Sequence, residues 1–317
     1  MSIAICLLLY SVAVLVAGPP LLRALTRRGH APRFGVAAWL TAIGTVVLVW
    51  VAVAGTVVVE MARRWDYPRS VAASCLVQLR GVMTVLSDFV GVSPQVTLGA
   101  IAAVAALVAI LAGGRLARTI SGLRTRSLEH AEAVRLVGRR TGDPDVVIVE
   151  APEPAAYCVS GRPSAIVVTS AAVAALDEHE LTAVVAHERA HLAGHHSLVV
   201  TTLRGLAAVF PKLTLMREGA AHVARLLEMC ADDASARRYG SAPLLSGLIT
   251  LCRAAPAGAL AAADVAVLAR AERLAVLSAD PAIGRARAAL SSVIAVLAAG
   301  PVVTVILATS GALLCGP

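Results

Sequence analysis

Residues 184–198 read VVAHERAHLAGHHSL and hold four of the chain's eight histidines. Within them, His187-Glu188-Arg189-Ala190-His191 is an H-E-x-x-H sequence. On a helix, a spacing of four puts both imidazoles on one face, about one turn apart, so both can reach one metal ion. Zinc lowers the pKa of a water it binds to about 7, and a carboxylate such as Glu188 can then take that proton at neutral pH. The pattern follows an apolar stripe of Leu181, Val184 and Val185. Its helix is expected to begin near Asp177, where Asp177 and Glu180 have the form of a capping box. Two solvated histidines beside a surface glutamate would give the same five letters, so the remaining ligands decide.

A third histidine six residues after His191 would complete one known pattern, but that position is Ser197. His195 shares the face of His187 and His191. The outer two of these collinear rings would lie about 12 Å apart at a rise of about 1.5 Å per residue, too far to surround one ion. His195 and His196 are therefore expected at the surface or behind a ligand. The better third donor lies in Arg225-Leu-Leu-Glu228-Met-Cys-Ala-Asp232-Asp233. Glu228 and Asp232 share a helix face in an E-x-x-x-D arrangement, in which Glu228 completes a two-His-one-Glu zinc site and Asp232 orients a ligand histidine through its other ring nitrogen. Cys230, on another face, reads as a packing residue.

The rest of the chain is built for a bilayer. It is 58% hydrophobic and 15% charged, against about 45–50% and about 25% for soluble domains. Four windows contain no Asp, Glu, Lys or Arg: Met1–Leu22, Phe34–Val59, Phe89–Gly114 and Ala288–Pro317. Each is long enough to cross a hydrocarbon core, which takes about 20 helical residues. The first has no basic residue before its apolar run, which favours an uncleaved helix over a signal peptide. Arginine placement gives orientation: Arg23, Arg27, Arg28 and Arg33 follow the first window, Arg115, Arg118, Arg124 and Arg126 the third, and Arg285 and Arg287 precede the fourth. Both termini are then expected outside and residues 115–287 in the cytoplasm. The net charge of +8 is mostly this topology signal, so direct nucleic-acid binding is not expected. Cys158, Cys230 and Cys252 would face a reducing cytosol, with only Cys75 and Cys315 outward, so no disulfide framework is implied.

The expected layout is 1–114 as a membrane region with spans at about 3–22, 36–59 and 93–114, then 115–287 as a soluble domain, then 288–317 as a last span and short outer end. The loop Glu60–Asp88 is expected to lie on the bilayer as an amphipathic helix. Leu198–Met216, interrupted by Arg204, Pro211 and Lys212, is expected at the membrane surface. Asp145–Glu150 and Ser164–Thr169 read as strands, bounded by Pro144, Pro152, Pro154 and the Gly161-Arg162-Pro163 turn. A further helix should run from about Glu218 to Tyr239, with Gly240 as a left-handed cap. The strand Ser164–Thr169 offers an edge on which an extended peptide could be held beside the metal. Glu188 would then act as base and pass the proton to the leaving amine. Tyr239 and Arg237 are the positions considered for stabilising the oxyanion.

The stretch GRPSAIVVTSAAVAALDEHELTAVVAHERAHLAGHH followed by LLEMCADDASARRYG resembles the gluzincin core of two related groups, the BlaR/MecR-type membrane metallopeptidases and the HtpX and CaaX-prenyl-protease group. The resemblance covers most of the chain from about Leu116, and three spans before the domain with one after are more similar to the BlaR/MecR type. It implies a mostly α integral membrane protein with four transmembrane helices and a cytoplasmic α+β gluzincin-type zinc peptidase domain between the third and fourth. It further implies Zn2+ held by His187, His191 and Glu228, Glu188 as catalytic base, Asp232 behind a ligand, and a DNA-binding repressor as substrate. The S-x-x-K motif of penicillin sensors is absent, because Val209 stands three residues before Lys212, the only lysine. Two rival readings are an HtpX-like quality-control protease and a non-proteolytic membrane signal transducer with a structural zinc site. A transporter is disfavoured, since its spans should carry ionisable residues.

Overall fold

The computed structural model describes residues 3–63, 94–253, 269–274 and 282–310, the side chains of 57–63, 94–109 and 112 excepted. Among the described residues, three long helices precede the sheet: α1 (Ile3–Thr26), α2 (Pro32–Arg63) and α3 (Pro94–Val137). Four short strands follow, β1 (Arg139–Arg140), β2 (Val146–Val149), β3 (Ala156–Val159) and β4 (Ala165–Thr169). Then come α4 (Ser170–Ala175), α5 (Glu178–Ala193), α6 (His196–Val209), α7 (Thr214–Tyr239) and α8 (Ser241–Arg253), a helical segment at 269–274, and α9 (Ala282–Thr309).

Among the described residues, α1, the stretch Pro32–Thr56 of α2, and α9 are long and apolar enough to cross a membrane. They coincide with the first, second and fourth charge-free windows. The third window falls largely on the part of α3 whose side chains are not described, and α3 continues as one helix to Val137. The loop Glu60–Asp88 lies mostly outside the described residues, as do Cys75 and Cys315; among the described residues Cys6, Cys158, Cys230 and Cys252 form no disulfide.

Alternation along β4 explains the layering of the soluble half. Successive strand residues point to opposite faces, and Ala165 and Val167 join Ala131 and Val134 of α3 in one cluster. Ile166 and Val168 join Ala172 of α4 and Val185 of α5 in another. The sheet is thus sandwiched between α3 and α5. All five residues of β4 are buried, which is why Ala165–Val168 read as an uninterrupted apolar run.

Strand order corrects one expectation. The sheet runs β1-β2-β4-β3, with β4 parallel to β2 and antiparallel to β3. The strand Ser164–Thr169 was expected to present a free edge, but both edges of β4 are paired, and β3 takes the outer position beside it. Neither β1 nor β3 was foreseen, because two to four residues between Pro and Gly signals are too few to show a period. Helix α5 starts as expected, with both halves of the capping box formed: Asp177 Oδ1 accepts from Glu180 N at 2.8 Å and Glu180 Oε2 accepts from Asp177 N at 3.0 Å. Helix α7 starts four residues earlier than Glu218, and Gly240 closes it with φ 88° and ψ 158°, an extended conformation open to glycine rather than the left-handed cap foreseen.

Helix α7 joins the two halves. Its first half buries Leu215, Met216, Val223 and Leu226 in one core with Val14 and Leu22 of α1, Trp39, Ile43 and Val46 of α2, and Leu290 of α9. Gly219 makes this approach possible, since a Cβ there would meet Ile43 Cδ1 at 2.7 Å. Trp39 stacks on His222 with ring centroids 5.2 Å apart. Arg225 donates to the carbonyls of Thr26 at 2.9 Å and Arg27 at 3.2 Å, satisfying carbonyls that the end of α1 leaves open. Helix α6 packs Leu203 into the same core, so the segment expected at the membrane surface is partly buried against protein.

Candidate metal centre

Helices α5 and α7 cross beside the sheet, and small residues let them approach. Ala183 and Ala231 are fully buried, and the buried Ser235 hydroxyl donates to Ala183 O at 2.7 Å. This crossing brings His187 and His191 on α5 against Glu228 on α7. His187 Nε2 and His191 Nε2 are 3.1 Å apart. Glu228 Oε2 lies 3.5 Å from the first and Oε1 3.6 Å from the second. Tetrahedral zinc with bonds of about 2.0–2.1 Å sets its donors about 3.4 Å apart. The three side chains therefore fit such an ion, and they form the group of His, Cys, Asp and Glu side chains that could hold a metal among the described residues.

Charge in the cluster favours a cation. Burial would lower the pKa of His187, but the Asp232 and Glu228 carboxylates outweigh it and hold it up at about 9. Burial would raise Glu228, but hydrogen bonds from His187 and His191 hold its carboxyl well below the usual range. A metal ion placed among these donors would replace the protons that otherwise relieve them.

Each imidazole has its own support. His187 Nδ1 lies 3.2 Å from Asp232 Oδ1, without an aligned hydrogen bond. Asp232 is fully buried and gripped by Arg270, with Nε to Oδ2 at 2.7 Å and Nη2 to Oδ1 at 2.5 Å. Arg270 Nη1 also stands 3.6 Å from Glu228 Oε2. His191 Nδ1 meets His196 Nδ1 at 2.9 Å. Burial, then the nearby His191, pushes His196 down to about 4, so its ring is neutral and can accept the His191 N–H. The turn between α5 and α6 makes this contact: His195 adopts a left-handed φ of 49°, and Gly194 leaves space for the ring, since a Cβ there would meet His196 Nε2 at 2.3 Å.

Glu188 is partly buried beside both histidines. Burial raises its pKa, and the two imidazoles oppose that shift. The Cys158 thiol of β3 faces the same carboxylate; burial, then Glu188, pushes its pKa up to about 12, so it stays protonated. Arg189 points away and clamps α5 to the start of β2 through Asp145, with Nε to Oδ2 at 2.8 Å and Nη2 to Oδ1 at 2.8 Å.

The structure thus brings together His187, His191, Glu228, Asp232 and Glu188, and it puts His196, but not His195, behind a ligand. His195 lines a cavity with Leu123 and Leu128 of α3. Tyr239 packs with Leu244, and Arg237 opens into a cavity with Arg33 and Arg287, so neither position considered for the oxyanion is assembled with the cluster. Arg270 was missed. The available signal was a charge match: Arg270 and Arg273, three apart, face Asp232 and Asp233, with Arg273 Nη2 at 2.5 Å from Asp233 Oδ1.

Residues 123–252 match the model of peptidase family M48. The match runs from the later part of α3 through α8 and includes every cluster residue except Arg270. No curated protein and no solved structure matches the chain. Peptidases of family M48 are zinc-dependent, and residues 123–252, with the donor geometry they contain, are similar to a zinc metallopeptidase of that family in a chain that carries apolar, span-length helices towards both ends.

Proposed function

We propose that the chain is an integral-membrane zinc endopeptidase that hydrolyses peptide bonds of a cytosolic protein. The observation that carries this reading is the cluster itself: three donors spaced for one tetrahedral ion, with the Glu188 carboxylate alongside. His187, His191 and Glu228 would hold Zn2+. When bound, the ion supplies Lewis-acid chemistry, polarising a carbonyl and lowering the pKa of a water. Glu188 takes the water's proton and returns it to the leaving nitrogen; its raised pKa brings it nearer the working pH of a general base. Asp232 fixes the ring of His187, and Arg270 keeps that carboxylate ionised. An extended substrate adds to the free side of β3, the strand whose Cys158 faces Glu188.

A purely structural zinc site is the weaker reading. Such sites fill all four positions with protein ligands, whereas the described residues offer three donors, with the Glu188 carboxylate near the two histidines. The substrate we infer is a DNA-binding repressor, supported by the span arrangement that resembles the BlaR/MecR type.

Comparing protein N-termini across the native host, with wild type or Glu188→Gln, tests this. One or two cytosolic termini lost in the variant, with zinc content unchanged, would support a dedicated regulatory protease. Many membrane-protein fragments would replace the repressor reading with quality control. No difference at full zinc content would sink the proteolytic reading.

A further inference from the structure

A cavity of about 550 Å3 opens where the first turns of α2 and α9 meet the second half of α7. Arg33 from α2, Arg237 from α7 and Arg287 from α9 line it, and all three are exposed. None of the three has a hydrogen-bond or ion-pair partner among the described residues. The acid in the lining, Asp233, is already held by Arg273 at 2.5 Å. Three like charges converging on one concavity repel one another, and the arrangement is relieved by an anion.

The chemistry of the donors narrows the anion. Guanidinium forks match phosphate oxygens two at a time, and the Ser241 hydroxyl adds a neutral donor to the same lining. The position narrows it further. The cavity lies at the ends of two helices that are long and apolar enough to cross a membrane, which is the level of lipid headgroups. Phe34 and Ile283, on those same helices, put apolar surface beside the arginines. Basic pockets between such helices are where anionic headgroups bind.

A neighbouring basic cavity sets the contrast. It is lined by Arg23, Arg27 and Arg225. Arg23 is ion-paired with Glu218 at 3.3 Å, and Arg225 is spent on the carbonyls that close α1. Two of its three arginines thus serve the fold, whereas none of Arg33, Arg237 and Arg287 does.

We propose that the cavity binds the phosphate group of an anionic phospholipid of the surrounding bilayer. The same group is offered by free inorganic phosphate, so the test separates the two sources. The full chain, delipidated in neutral detergent, is titrated with phosphatidylglycerol, with phosphatidylcholine of the same acyl chains, and with inorganic phosphate, and bound molecules are counted by native mass spectrometry. Wild type should retain one phosphatidylglycerol. Its Kd should rise at least tenfold in Arg33→Gln/Arg237→Gln/Arg287→Gln, while phosphatidylcholine binds weakly to both. The triple Lys variant keeps the charge and loses the forks, so it should fall between them and guards against a folding defect in the Gln variant; zinc content reports folding in each. Inorganic phosphate binding as tightly as the lipid, with the same dependence on the three arginines, would overturn the lipid source. Equal phosphatidylglycerol binding by wild type and both triple variants would overturn the site. So would an equal loss on replacing Arg115, Arg118 and Arg126 of α3.

Discussion

His187 and His191 stand one turn apart on the same helix, yet they are held from opposite sides by different means. His187 is 3% exposed and backed by a carboxylate that Arg270 in turn grips from 38 residues along the chain. His191 is backed by a neutral imidazole only five residues on, across the Gly194-His195 turn. The first support is charged, buried and non-local; the second is neutral and local. A buried charged pair is costly to break, because the surviving partner stays unpaired, whereas a lost neutral acceptor costs only one hydrogen bond. The two histidines should therefore respond unequally to loss of their supports.

The largest effect is expected from Asp232→Ala. It leaves Arg270 buried without its main partner, which should destabilise the fold by about 3–5 kcal/mol, read by denaturant unfolding in detergent, and should abolish stoichiometric zinc. Unchanged stability would mean that the Asp232–Arg270 pair does not brace His187. His196→Phe keeps the ring's volume and removes the acceptor. Zinc affinity should fall on the order of tenfold, measured by competition with a chelator, with stability little changed. A loss as large as that of Asp232→Ala would erase the contrast between the two sides.

Gly194→Ala sharpens the local side further. Its Cβ would meet the His196 ring at 2.3 Å, so the ring must move, at roughly 1–3 kcal/mol for an overpacked site. The cost should largely disappear in a His196→Ala background, because the clash and the ring are then removed together. Equal costs in both backgrounds would assign the glycine a backbone role instead.

The smallest effect belongs to the residue of the motif that points away from the cluster, Arg189, with Asp145. The hydrogen bond from Arg189 lowers the Asp145 pKa, so the pair contributes stability above the unfolded carboxyl's pKa of about 3.9. That contribution is lost as pH falls through the lowered folded value. Both side chains are about a third exposed, and Asp145→Asn should cost about 1 kcal/mol or less at neutral pH. The difference from wild type should shrink in unfolding experiments below about pH 4; a difference that grew there would contradict the sign.

The readable parts of this site are those whose geometry repeats within one helix. The four-residue spacings of His187 with His191 and of Glu228 with Asp232 are set by the helical period, and the Asp177 capping box by the first turn, so residue order alone places them. The charge-free windows are read the same way, because a bilayer demands a minimum apolar length. Loop-crossing relations were not readable. The short edge strand β3 carries too few residues to show alternation, and the free edge was therefore assigned to β4. His196 could not be put behind His191 without knowing that His195 turns left-handed, and Arg270 is separated from Asp232 by an alanine-rich stretch with no pattern of its own.

Residue order by itself determined the ligand types, their pairing on two helices and the apolar lengths that suit a membrane, because each depends on a local period. Only the tertiary structure decided which acids and bases meet: that α5 crosses α7 at Ala183 and Ala231, that β3 rather than β4 is the sheet's edge by the site, and that Arg33, Arg237 and Arg287 converge on one cavity. Those contacts arise where distant elements pack against a shared core, and packing partners are chosen by shape and burial over the whole chain rather than by spacing along it.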